Sequence, residues 1–185
     1  MVMPTPVFHT AEMVRALMDE TRHWPRYETV HGELLVTNAP RPWHQEIVGR
    51  LYVALREYVE RERSGHVFMS PADISWSPDT LVQPDVFVVP VKEARTMKWA
   101  TVQTLLLAVE VLSPSSVRAD RFTKRRVYQE VGIPLYWVVD ADAGTAEVWT
   151  PELQLPRVER DALIWMPAGA RGPFELGMAE LLRPI

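Results

Sequence analysis

The sequence contains no cysteine. That excludes disulfides and thiolate metal sites. Any metal would have to be held by carboxylate, carbonyl, imidazole or water, a donor set that favours magnesium or manganese over structural zinc. Lysine is nearly as scarce: of 20 basic residues only Lys92, Lys98 and Lys124 are lysines. Arginine is the default cation of this chain, so each lysine stands out. Long apolar runs are missing too, and none approaches the roughly 20 residues of a membrane-spanning helix. The start, MVMPTPVFHT, has neither a basic n-region nor an apolar h-region, so the expectation is a cytoplasmic protein with no membrane partner. There is no Gly-rich phosphate loop, no G-x-S-x-G elbow and no H-E-x-x-H pair. Nor is there an excess of positive charge. The net charge of −4 argues against indiscriminate coating of nucleic acid and leaves room only for a local basic groove.

What is present is a chain of 185 residues, 47% apolar and 24% charged, enough for a single domain (1–185) with its own core. Residues 11–20 read as a short helix capped by Thr10, with Met13, Val14 and Leu17 on one face. Residues 26–30 and 33–37 read as strands around a His31-Gly32 turn. In 42–63, Ile47, Val48, Leu51, Leu55, Tyr58 and Val59 recur at helical spacing, and Gly65 is the expected stop. Residues 66–76 read as one strand bent at Pro71. Residues 83–89 read as a strand entered through Pro84, and 105–112 as a central strand. A helix capped by Ser115 or Ser116 runs to about residue 131, ahead of Gly132 and Pro134. Residues 135–140 form another central strand and 145–150 an outer one. The tail alternates β-like pieces, 157–160 and 162–166, and ends in a short segment, 178–182. The alternation implies an α/β (α+β) fold around a mixed sheet.

One acid is out of place. Glu110 sits inside the apolar run of 105–112, where desolvating a lone carboxylate costs several kcal/mol or more. It needs a partner, either a cation from the chain or a metal. Asp85, after Gln83-Pro84 at the start of the preceding strand, is a candidate to share a site with it. Two close carboxylates repel, and a divalent cation taking oxygens from both resolves the repulsion. Lys124 lies on the helix that follows. A plainer reading pairs it with Asp120 at i, i+4 on the helix surface. The functional one makes it a point charge that orients an attacking water or helps deprotonate it, with Tyr128 on the same face. Arg118, Arg121, Arg125 and Arg126 read as a solvated helix face or as the flank of a phosphate-binding site. His44 opens the long helix, and Glu33 is a candidate for a further carboxylate. Gln83 and Ser113 are candidates to support the site by hydrogen bonds.

These stretches together resemble the Uma-type restriction endonuclease family, within the PD-(D/E)XK nuclease superfamily. The matching pieces are Pro25-Arg26-Tyr27-Glu28 with Gly32-Glu33-Leu34, and His44 at a helix start. Next come Gln83-Pro84-Asp85, then Glu110-Val111-Leu112-Ser113-Pro114-Ser115, then Asp120 with Lys124 and Tyr128, and finally 132–137. The resemblance covers about residues 25–150. It implies a restriction-endonuclease-like core, helix-strand-strand-strand-helix-strand, over about 43–140. It also implies magnesium- or manganese-dependent endonuclease activity on DNA, and a homodimer. By the same resemblance Asp85, Glu110 and the main-chain carbonyl of Val111 bind the metal, and Lys124 stands in for the lysine that the superfamily places two residues after the acid. That position here is Leu112, which cannot activate water. The alternative is an inactive nucleic-acid- or protein-binding module on a nuclease fold.

Overall fold

The structure is a computed structural model and describes residues 7–21 and 25–185. The N-terminal reading therefore lies partly outside the described residues. Helix α1 (Ala11–Thr21) is capped by Thr10, whose hydroxyl accepts from the backbone N–H of Met13 at 3.2 Å. Met13 faces solvent, so its inner face is carried by Ala11 and Val14. Strands β1 (Arg26–Val30) and β2 (Glu33–Thr37) form the expected hairpin. Its turn has both His31 and Gly32 at positive φ.

Helix α2 (Pro42–Glu62) buries Ile47, Val48, Leu51, Leu55, Tyr58 and Val59, the periodic set. Its C-cap is Arg63 in the left-handed region, not Gly65. Gly65 has a different reason to be glycine: a Cβ there would meet a Val88 methyl at 2.7 Å.

The stretch read as one bent strand is two strands in different sheets. β3 (His66–Met69) joins the main sheet, whereas β4 (Ile74–Ser77) pairs with β5 (Thr80–Val82) beside the hairpin. β6 (Val86–Val89) starts later than residue 83, so Asp85 stands just outside the ladder. After the short helix α3 (Val91–Ala94) and a 3₁₀ turn, Trp99–Thr101, comes β7 (Leu107–Val111), buried along its whole length. The following helix begins with a π-helical stretch, Ala119–Lys124, and continues as α4 (Arg125–Glu130). β8 (Tyr136–Asp140), β9 (Thr145–Trp149) and β10 (Arg157–Glu159) extend the main sheet. β11 (Ala162–Trp165), β12 (Phe174–Gly177) and α5 (Met178–Leu181) close the chain, and β12 has no counterpart in the sequence reading.

The main sheet runs β10-β9-β8-β7-β6-β3, antiparallel except for the β7–β8 pair, which the π/α4 segment connects. It is a mixed α/β fold. Its α2, β3, β6, β7, α4, β8 order is the helix-strand-strand-strand-helix-strand series expected of the sequence, with β4 and β5 inserted. One face packs Val86, Val88, Leu107, Val109 and Trp137 against α2 and the β11–β12 hairpin. The other packs Phe87, Ala108, Tyr136 and Val138 against Val127 and Tyr128 of α4 and against the small sheet β2-β1-β5-β4. Among the described residues no helix is long and apolar enough to cross a membrane.

Candidate active site

β6 and β7 pair antiparallel with Val86 opposite Val109. One step further along that register puts Asp85 opposite Glu110, with both side chains on one face of the sheet. Both line a cavity of about 650 Å³ at the carboxyl end of β7, beside the crossover to the helix. His44 and Gln45 from α2, Arg26 from β1, and Gln83, Val111, Ser113, Ser116 and Asp120 line it too. Open α/β sheets bind ligands at such strand ends.

Asp85 is surrounded by donors. Its Oδ2 accepts from the backbone N–H of Val111 at 2.9 Å, and His44 Nε2 lies 3.2 Å from the same oxygen. Its Oδ1 receives the Arg26 guanidinium at 3.3 and 3.5 Å. Burial works against this carboxylate, but the His44 hydrogen bond and the Arg26 charge outweigh it and hold its pKa below the usual range. In a strand, the N–H and C=O of one residue point to the same edge. Because the Val111 N–H reaches Asp85, the Val111 carbonyl is turned toward the same end of the site.

Glu110 is only 1% exposed. Its Oε1 accepts from Lys124 Nζ at 3.0 Å and from the Tyr128 hydroxyl at 3.1 Å. Lys124 is 2% exposed and ringed by acids, with Glu28 Oε1 at 3.0 Å and Asp120 Oδ1 at 3.3 Å. The surface i, i+4 pair is therefore corrected. Lys124 does meet Asp120, but inside the protein and together with Glu110 and Glu28. The π stretch explains how. Its wider turn slows the rotation per residue, so Ser116, Asp120, Lys124 and Tyr128 all stay on the buried face instead of drifting round it as an α-helical series would.

Burial opposes the charge on Lys124, yet Glu110, Glu28 and Asp120 more than compensate, and the ammonium is held above its usual range. In this arrangement Lys124 fixes Glu110. Burial also pushes the carboxyls of Glu110 and Asp120 up, against the pull of Lys124. Four buried carboxylates (Asp85, Glu110, Glu28, Asp120) face two permanent cations, Arg26 and Lys124. With all four ionised the formal excess would be two negative charges, the charge of one divalent cation, and the raised carboxyls of Glu110 and Asp120 relieve it by holding protons.

That charge excess and the all-oxygen donors, two carboxylates and a carbonyl, fit magnesium or manganese, which bind through one or two carboxylates and keep several waters. Among the described residues no group of three or more His, Cys, Asp or Glu makes a ready-made metal cage, so a cation held here would need waters or substrate oxygens to complete its shell.

The sequence reading missed two participants. Glu28 accepts from the Gln83 backbone N–H at 2.6 Å and from Lys124, and its Oε2 is buried with no hydrogen-bond partner. Arg26 bonds Asp85, the Ser70 hydroxyl at 2.7 Å and the Gln83 carbonyl at 3.3 Å. The signal was available. Period two puts Arg26, Glu28 and Val30 on one strand face, and Val30 marks that face as inward. Glu33 is exposed at the hairpin and does not line the cavity. Gln83 is buried and braced by Asp73, to which its side-chain amide donates at 3.0 Å. Ser113 and Ser116 bond each other at the cavity edge. Arg118, Arg121 and Arg125 do not line the cavity. Arg121 is held by Glu147 at 2.7 Å and Asp140 at 2.9 Å, and Arg125 lies over the Trp149 ring.

Comparison with known proteins bears on the fold and the family. Among solved structures, the crystal structure of a "putative nuclease belonging to DUF820" from Anabaena variabilis ATCC 29413 superposes with a TM-score of 0.74. The match covers 94% of this chain and 97% of that one at 19% identity, a likeness of fold. No curated protein matches the sequence. The family described as "Putative restriction endonuclease", Uma2, matches residues 11–177. The match spans nearly the whole length and includes every residue of the cavity described above, and so the chain belongs to the Uma2 family.

Proposed function

We propose that this chain is a magnesium- or manganese-dependent endonuclease that hydrolyses phosphodiester bonds of DNA. The observation that carries the reading is the Lys124–Glu110 pair, buried beside Asp85 at the cavity wall. A purely structural strand gains nothing from this pair, since apolar residues of similar volume stabilise as well or better. Asp85, Glu110 and the Val111 carbonyl would hold the cation. When bound, it lowers the pKa of a coordinated water and stabilises charge on a phosphoryl oxygen.

The chain's own residues do the rest. Lys124 and Tyr128 fix Glu110 from behind and leave its other oxygen for the cavity. The Val111 N–H and His44 fix Asp85 Oδ2. Excluding bulk water from this wall strengthens each interaction. Cutting both strands is served by a homodimer, each copy acting on one strand, and the absence of cysteine suits the reducing cytoplasm.

Cleavage of a DNA panel with magnesium and manganese tests the reading. Glu110→Gln keeps the shape and removes the charge, and cleavage is expected to fall by about a hundredfold or more. Cleavage undiminished in that variant would sink the assignment. If wild type neither cleaves nor binds either metal, the family fold serves here as a binding module.

A further inference from the structure

We propose that Arg26 is a resident counter-ion of Asp85, which the metal displaces and which then turns to a phosphate of the bound DNA. The inference rests on the reading of Asp85 as a metal ligand. Both oxygens of Asp85 are occupied, so a cation can bind only if one donor leaves. The Val111 N–H is fixed by the sheet: Leu112 beyond it donates to the Val139 carbonyl at 2.9 Å. His44 shares that oxygen from the first turn of α2, a rigid helix.

Arg26 differs from both. Among the described residues it is what meets Oδ1, at 3.3 and 3.5 Å, the longest of these contacts. Two neutral acceptors, the Ser70 hydroxyl and the Gln83 carbonyl, hold it independently of Asp85. It can therefore give up the carboxylate without being stranded. Burial opposes its charge, while Asp85, Glu28 and Glu110 stabilise it so strongly that the guanidinium stays ionised throughout. Displacement thus moves a full positive charge, not a proton. The displaced fork remains on the cavity wall beside the ligands, suited to two phosphate oxygens at once.

Calorimetric titration with manganese, with no DNA present, separates the possibilities. Arg26→Gln is expected to bind manganese on the order of tenfold tighter than wild type, and Asp85→Asn not to bind. Arg26→Lys, which keeps the charge but not the fork, should lie between wild type and Arg26→Gln and remains informative if Arg26→Gln fails to fold in a thermal melt. Unchanged or weaker binding in these Arg26 variants, with Asp85→Asn still inactive in binding, overturns the counter-ion role and leaves the metal reading standing. No binding by wild type or by any variant overturns both. Binding by Arg26→Gln alone supports the proposal in its strongest form. For the second half, affinity for a duplex with non-hydrolysable linkages is measured with and without manganese. Arg26→Gln should weaken it about tenfold only when manganese is present. An equal loss in both conditions overturns the phosphate role.

Discussion

Lys124 and Arg121 stand on the same π-helical turn, each facing two or more carboxylates, yet they belong to different kinds of ion pair. Arg121 is 28% exposed, and its partners Asp140 and Glu147 lie on β8 and β9 at the rim of the sheet. Acids and cation there share access to water, which screens any imbalance. Lys124 is buried with Glu110, Glu28 and Asp120, where solvent contact is almost nil and screening is weak. The first arrangement fastens a helix to a sheet. The second crowds acids at low dielectric and raises the carboxyls of Glu110 and Asp120, a state that a structural role alone does not favour and that a cation in the adjoining cavity would relieve. The difference lies in solvent access and charge balance, not in residue type.

The largest effect should come from Lys124→Met. It strands three buried carboxylates, and removing one side of a buried pair costs about 3–5 kcal/mol. Urea denaturation at neutral pH should show a loss of that order. If the loss matched that of Arg121→Met, the distinction would collapse.

A second, smaller effect is pH dependence without metal. Burial raises the carboxyls of Glu110 and Asp120 in the folded chain. Groups raised in this way favour the fold while protonated, below their unfolded pKa of about 4, and lose that contribution as pH rises through the folded value. Asp85 has the opposite sign: lowered by its donors, it favours the fold above its unfolded pKa and loses that contribution as the solution turns strongly acid. The melting temperature should therefore decline from mildly acid toward alkaline pH, and Glu110→Gln should flatten the decline. An identical slope in the variant would show that Glu110 does not carry the proton.

The sequence already showed much of this. The α2 stripe, the β1–β2 hairpin, β7 and β8 follow from periodicity and turn residues, and Glu110 stood out because a charge in an apolar run must be explained. The cavity's two halves also came from the sequence, since Asp85 and Glu110 lie on successive core strands. What stayed hidden has physical reasons. A π turn changes hydrogen-bond partners without changing composition, so nothing in 119–124 announces that Asp120 and Lys124 face inward. The division of 66–76 between two sheets depends on long-range pairing of β4 with β5. Arg26 and Glu28 sit on a hairpin that looks peripheral, and only docking of that hairpin across the α4 side of the sheet brings them to Asp85 and Lys124. There His31 of the turn meets Glu130 of α4 at 2.8 Å.

The smallest effect sharpens the comparison most. Arg121→Met removes two good ion pairs, but exposed and half-exposed pairs contribute no more than about 1 kcal/mol. Their attraction is also screened, since the Debye length shrinks from about 10 Å at 0.1 M salt to about 3 Å at 1 M. The stability gap between wild type and Arg121→Met should thus narrow toward zero as salt rises over that range. The gap for Lys124→Met should persist, because its ion pairs lie inside the protein with almost no solvent contact and are screened little. The two denaturation series measured side by side would read out the dielectric difference directly. A Lys124→Met gap that closed with salt would mean that the Lys124 pairs are screened like surface ones, and the argument from buried, crowded acids to a cation site would fail with it.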